Sequence, residues 1–303
     1  MQNYKTPDLG RGFSFGLGAY LIWGSFPLII SALGSFATAN EIVAWRIIFG
    51  FAMAVLLLTV TKTWSSIMPI LRNKNSLTWM LVSTAMIMVN WQVYVIGVAS
   101  HRIIETSLGY FINPLVTIAL AVFFLKERLS RLQWLAVSFG SVAVVVLSVD
   151  YGHLPWIALS LAFSFGLYGL AKNKLGGKVS AISGYAIESG FLTPIAVIQL
   201  SFVAALAPGI QFGSQGPLGS FGLIMFGVMT AIPLIFFGIA AKHLPLSYVG
   251  LMQYMTPVIQ FILALAVFHE DMPPARWIGF GLVWCGLVAL TVDMLGRARN
   301  VQK

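Results

Sequence analysis

The chain repeats one of its own segments. Residues 110–134 read YFINPLVTIALAVFFLKERLSRLQW, and residues 253–277 read QYMTPVIQFILALAVFHEDMPPARW. Aligned without a gap, Pro114 falls on Pro257, Glu127 on Glu270 and Trp134 on Trp277, each pair 143 residues apart. A duplicated apolar segment of this kind restricts the fold to architectures built from two related halves.

Composition says which solvent the halves meet. Of 303 residues, 58% are hydrophobic and 9% charged, against about 45–50% and about 25% in soluble domains. The chain reads as an all-α integral membrane protein whose main partner is the lipid bilayer. Its net charge of +9 then reports topology and anionic lipid rather than nucleic acid. The single cysteine, Cys285, lies in an apolar run and excludes an intramolecular disulfide. The first apolar run lacks a small-x-small cleavage site and is followed by many more, so it reads as a span and not a signal peptide.

A bilayer core of about 30 Å needs roughly 20 apolar residues per helix. Ten runs fit: 12–31, 42–61, 77–99, 104–125, 131–149, 154–171, 180–205, 219–240, 246–268 and 275–295. The hydrophilic stretch 62–76 is too short for a domain. With the N-terminus in the cytoplasm, 15 of the 18 Lys and Arg residues fall inside. Only Arg102 and Arg276 fall outside, and Arg46 lies within a span. This asymmetry predicts a multi-pass protein of the inner membrane with both termini cytoplasmic. Five spans per half is an odd number. The two units, 1–149 and 150–303, are therefore expected to be inverted five-helix repeats related by an axis in the membrane plane. Trp23-Gly24 facing Phe165-Gly166, and Arg46 facing Glu188, echo the repeat at an offset of 142.

Two five-span halves, each with a proline-bearing fourth span ending in Glu, resemble the EamA-type drug/metabolite transporter superfamily. LGYFINPL (108–115), KER (126–128), QWLAV (133–137), AYLIWG (19–24), NW (90–91), LAFSFGLYGL (161–170) and IE (187–188) resemble its RarD branch. The resemblance covers nearly the whole chain. It implies a ten-helix carrier with a central cavity among spans 1, 3, 4, 6, 8 and 9.

The residues themselves point to where such a cavity would lie. Positions three, four and seven apart share a helix face. Tyr110, Asn113 and Thr117 in span 4 fit that spacing, and so do their repeat partners Gln253, Thr256 and Gln260 in span 9. Polar groups need partners or water within hydrocarbon, so both stripes should face inward. They are expected to line opposite walls of one cavity, or to join helices by hydrogen bonds. Pro114 and Pro257 lie beside the stripes as candidate kinks or bending points. Asn90, Trp91 and Tyr94 in span 3, Trp23 in span 1 and Tyr168 in span 6 add aromatic and polar surface for a small amphipathic or aromatic solute.

Three ionisable residues fall within or at the mouth of spans: Arg46, Glu105 and Glu188. Such residues are functional candidates. Depth along the span separates Arg46 from Glu188 by roughly 10 Å. Arg46 is instead expected to contact Glu105 or to face an outer vestibule. Glu188 has no evident basic partner and is the candidate for proton coupling. Glu127 and Glu270 read as interface anchors. Ala136, Gly140 and Ala143 in span 5, with Gly279, Gly281 and Gly286 in span 10, predict close helix packing. That packing need not signal association, so a monomer or a weak homodimer is expected.

The expected function is secondary transport, with export of a small amphipathic or aromatic metabolite or drug by alternating access. No phosphate-cradling loop is present, and the four histidines form no metal-binding pattern. No catalytic residue, cofactor or metal is therefore expected. A channel, a lipid flippase or, last, a membrane-embedded enzyme are the alternatives.

Overall fold

The computed structural model describes residues 9–125, 129–175, 179–244 and 252–301. Its regular structure in these segments is helical, with helices α1 (Leu9–Gly34), α2 (Ala39–Val60), α3 (Ile67–Arg72), α4 (Lys74–Ala99), α5 (Ile103–Leu125) and α6 (Arg131–Tyr151). The second part of the chain forms α7 (Trp156–Leu175), α8 (Ala181–Ala205), α9 (Gly216–His243), α10 (Met255–Ala266) and α11 (Pro274–Val301).

Eight of these helices are long and apolar enough to cross a membrane: α1, α2, α4, α5, α6, α8, α9 and α11. Helix α7 coincides with the sixth expected span but ends in the polar run Lys172-Asn173-Lys174. Helix α10 is only 12 residues long. The ninth span was expected over 246–268. The described helix starts at Met255, and residues 245–251 lie outside the described segments. The stretch 62–76 holds more order than its polarity predicts: a single tight turn, Trp64–Ser66, leads into the short helix α3.

Local sequence sets several helix starts. Thr38, Asn73 and Ser180 each accept a backbone N–H of the first turn of the helix that follows. Ser130 and Gln133 cap α6 reciprocally. These contacts satisfy donors that a helix start leaves without partners.

Packing follows a centre-and-rim plan. Helix α5 is the most buried: two thirds of its apolar window (67%) is covered by neighbours, against 22% for α6. It packs on α7 and α10; α7 also packs on α4, α1 on α9 and α10, α2 on α8 and α9, and α6 on α11. Val142, Val145 and Val149 on α6, and Ile278, Val288 and Val292 on α11, stay exposed. In water such a surface would be costly; it suits a lipid-facing rim.

Glycines permit the closest approaches. A Cβ at Gly140 would strike Leu115, one at Gly279 would strike Leu147, and one at Gly286 would lie 3.1 Å from the Ala136 carbonyl oxygen. Gly281 faces open space, so the close packing expected of it does not occur.

One face of the bundle is tied shut by acidic side chains. Glu41 accepts from the backbone N–H groups of Gln211 and Phe212. Glu105 accepts from Ile157 N at 3.0 Å and forms an ion pair with Arg102. Glu270 accepts from Ile103 N at 2.5 Å and Ile104 N at 2.8 Å. Arg276 donates to Asp150 at 2.9 Å. Four loops and helix starts that are remote in sequence therefore converge on this face. Glu270 was expected to be an interface anchor; its position is more specific, because it caps the N-terminus of the central helix α5. Glu127, its repeat partner, lies outside the described residues.

Candidate functional site

The opposite face holds a cavity of about 480 Å³, within the usual range of about 300–1,000 Å³ for small-molecule sites. Its walls are Asn113, Pro114, Thr117 and Ile118 of α5, Gln133 of α6, Phe165 and Gly169 of α7, Gln253 and Tyr254 ahead of α10, and Leu290, Thr291 and Asp293 of α11. Two of the three polar positions of the α5 stripe, and one of its repeat partners, meet here.

The remaining stripe residues do not line the cavity and instead bond to neighbouring helices. Tyr110 donates to Asn90 Oδ1 at 3.1 Å. Asn90 in turn donates to Leu161 O at 3.2 Å and Ser164 Oγ at 3.1 Å. Gln260 donates to Tyr94 OH at 2.9 Å and to Trp23 O at 3.4 Å. Thr256 donates to Tyr20 O at 3.4 Å. The Tyr94 and Tyr110 rings meet edge-on with centroids 5.7 Å apart, and Tyr110 meets Phe165 at 6.0 Å. Cavity lining and helix joining, the two roles open to the stripes, are thus divided among their members. Each interhelical bond of this type contributes about 0.6 kcal/mol. Trp23 packs against Tyr20 and Phe237, away from the cavity.

The two prolines are not equivalent. Pro114 lies inside α5, which runs on unbroken. Pro257 is the third residue of α10, and Gln253 and Tyr254 ahead of it form a turn. A proline in the first turn of a helix gives up an N–H that has no intrahelical partner anyway. Pro257 thus follows a break in the helical run, with Met252 helical on the other side of the turn, and Gln253 reaches the cavity from that turn.

The ionisable residues correct two expectations. Arg46 does not contact Glu105, and it does not face a vestibule. It is 4% exposed, donates from Nε to Thr230 Oγ1 at 3.0 Å, and lies over the rings of Trp91 (4.5 Å), Phe226 (5.1 Å) and Phe26 (5.5 Å). Glu105 is taken by Arg102 and the start of α7 instead. Glu188 does have a basic partner. Lys172 Nζ lies 2.5 Å from its Oε1, Ser83 donates to it at 2.7 Å, and Tyr168 OH lies 3.5 Å from Oε2. Gly184, one turn before Glu188, leaves room for the ammonium: a Cβ there would lie 3.0 Å from Lys172 Nζ. Lys172 escaped notice because its position near a span end reads as a topology signal.

Ile118, Phe165, Gly169, Gln133, Tyr254, Leu290, Thr291 and Asp293 were missed as lining residues. Asp293 alone carried a signal, as a charge in the last turns of an apolar span. Among the described residues, no three His, Cys, Asp or Glu side chains converge as metal ligands would.

Burial raises the pKa of Glu270 above its ordinary value near 4.5, against the lowering effect of its two backbone bonds. A carboxyl group raised in the folded state adds stability below its unfolded value, and that stability is lost as pH rises through the folded one. Melting temperatures taken from neutral pH down towards 4.5 should therefore rise for the wild type relative to Glu270→Gln. A flat difference would mean that Glu270 is not buried at the seal.

Residues 10–149 match the EamA-like transporter family. Protein RarD of Streptomyces exfoliatus is 44% identical, over 95% of this chain and 90% of its own. Protein RarD of Escherichia coli (strain K12) is 36% identical, over 97% of this chain and 98% of its own. The uncharacterized transporter YojE of Bacillus subtilis (strain 168) is 35% identical, over 97% of each chain. One crystal structure, at 17% identity, superposes with a TM-score of 0.58 over 93% of this chain and 96% of that one. It shares the fold. The chain belongs to the EamA-like transporter family, in its RarD-like branch.

Proposed function

We propose that this protein is a secondary-active inner-membrane carrier that exports small amphipathic or aromatic solutes by alternating access. One observation carries the reading: a cavity lined by repeat-related positions opens on one face while acidic ties close the other. The Tyr94–Tyr110–Asn90–Gln260 network forms the boundary between them. The excess of Lys and Arg supports reading the open face as cytoplasmic, where an exporter loads.

The reading includes ten crossings arranged as two inverted repeats. Helix packing supports it. Shifting by one half exchanges the α5–α7 contact with α10–α1, the α4–α7 contact with α9–α1, and the α2–α9 contact with α8–α4. The exchange extends to side chains: Gly166 packs against Val116, and Gly24 packs against Ile259, its repeat equivalent. Unequal halves support alternation. Continuous α5 and interrupted α10 are two conformations of one repeated segment, and exchanging them would open the other face.

Proton coupling enters through Glu188. Its counter-ion is on α7, while Glu188 itself is on α8. Separation of these helices would strand a buried carboxylate, and taking up a proton would remove that charge. Glu188→Gln should abolish pH-driven transport in vesicles; coupling unchanged from the wild type would exclude this role.

Counterflow in proteoliposomes tests the carrier itself. Labelled aromatic solute should enter in a saturable manner and faster when unlabelled solute is inside. Flux that rises linearly with concentration, without such acceleration, would favour a channel.

A further inference from the structure

Arg46 is a buried cation without an anion. Among the described residues no carboxylate pairs with it. Thr230 takes Nε, and Nη1 has no hydrogen-bond partner. Its ionisable neighbours are Tyr185, Tyr110 and Tyr94, all of them neutral donors. Aromatic faces stabilise a desolvated guanidinium. That offsets only part of the cost of burying an unpaired charge.

A second group beside it is also unpartnered. The Tyr185 hydroxyl is buried and makes no hydrogen bond. It reaches α2 only because residue 50 is glycine: a Cβ there would overlap its oxygen. Gly50 is four residues from Arg46 and lies on the same face of α2. Tyr185 also meets Trp91 edge-on at 6.4 Å, and Trp91 forms the floor under the guanidinium. Two unused donors from α2 and α8 thus share one indole wall.

This cluster adjoins the solute path. Phe165 lines the cavity and packs on Tyr110, which packs on Tyr94, and both tyrosines neighbour Arg46. Lys172 is paired with Glu188, whereas Arg46 has no carboxylate partner among the described residues.

We propose that Arg46 is an anion subsite. It takes the carboxylate of a small organic acid, Tyr185 completes the hydrogen bonding, and the acid's apolar or aromatic body packs on Trp91. The proposal rests on the transport reading and narrows it from amphipathic solutes to organic anions. A guanidinium binds a carboxylate through two parallel N–H bonds, which a lysine cannot reproduce.

The probes are matched acid and amide pairs: benzoate and benzamide, phenylacetate and phenylacetamide, indole-3-acetate and indole-3-acetamide. They are titrated at constant ionic strength against the purified full-length protein, with melting temperature as the readout. At least one acid should stabilise the wild type saturably while its amide does not. Arg46→Gln should weaken that acid about tenfold or more, and Arg46→Lys less. If Arg46→Gln does not fold, Arg46→Lys and Tyr185→Phe carry the test, each expected to weaken the acid but not to confer amide binding. Amides that stabilise as well as acids, no response to any acid, or an acid preference that survives in the variants would overturn the proposal. Counterflow of a neutral amide would then leave the transport reading standing, whereas absence of counterflow with every probe would count against transport.

Discussion

Replacing Gly109 with leucine should eliminate the folded protein from the membrane fraction. Helix α5 is the most buried helix, and Gly109 is where it touches α7. A Cβ at this position would lie 2.8 Å from the Ala158 carbonyl oxygen, 2.9 Å from Leu161 Cβ and 3.1 Å from Ala158 Cα. Two of these atoms belong to backbone and cannot turn aside as the end of a flexible side chain can. Alanine should cost about 1–3 kcal/mol. Leucine would force α5 and α7 apart, breaking the Glu105–Ile157 bond and shifting the helix that holds Asn90 through Leu161 and Ser164. Gly169→Leu, on α7, is the control. A Cβ there meets nothing within 4 Å, and the residue lines the cavity. That variant should fold and lose solute binding. Size-exclusion profiles of fluorescent fusions distinguish the two; equal recovery of both would contradict the packing described.

Loss of Lys172 should destabilise the protein more than loss of Glu188, although the two form one ion pair. Their side chains are 29% and 3% exposed, respectively. Lys172→Met leaves a carboxylate buried without a counter-ion, and removing one partner in this way costs about 3–5 kcal/mol. Ser83 and Tyr168 soften that cost without supplying charge. Glu188→Gln leaves an ammonium that can turn to water beside the Tyr168 ring, 5.1 Å away, and should cost about 1 kcal/mol. The double variant Lys172→Met/Glu188→Gln should recover most of the loss seen with Lys172→Met. Thermal melts of the three proteins measure the asymmetry. A larger loss from Glu188→Gln, or strict additivity in the double variant, would place the burial elsewhere.

These residues also show where sequence reading succeeds. Helix positions followed from apolar runs, because lipid enforces one simple rule on a spanning segment. The stripes followed from the repeat and the helical period, and Asn113, Thr117 and Gln253 do reach the cavity. The period says which residues share a face but not what lies opposite. Gln260 therefore joins helices through Tyr94 while Gln253 lines the cavity. Partner choice was illegible for the charges. Arg46 selected a neutral Thr230, 184 residues away, and ring faces that no charge count reveals. Lys172 was absorbed into the topology signal. Proline position alone does not set the local backbone, since Pro114 lies inside continuous α5 and Pro257 just after a turn.

The central claim is that the two faces open in alternation. Distances between paired spin labels test it most directly, in a background where the single cysteine, Cys285, is replaced by serine. One pair, at Ser100 and Asp271, straddles the face tied by Glu270. The other, at Arg131 and Gln253, straddles the cavity mouth. The account predicts a short distance across the first pair and a long one across the second, with a minor population in which both are reversed. Glu270→Gln should enrich that minor population at both faces together. A single distance at each face that Glu270→Gln leaves unchanged, or two faces that lengthen together, would contradict it.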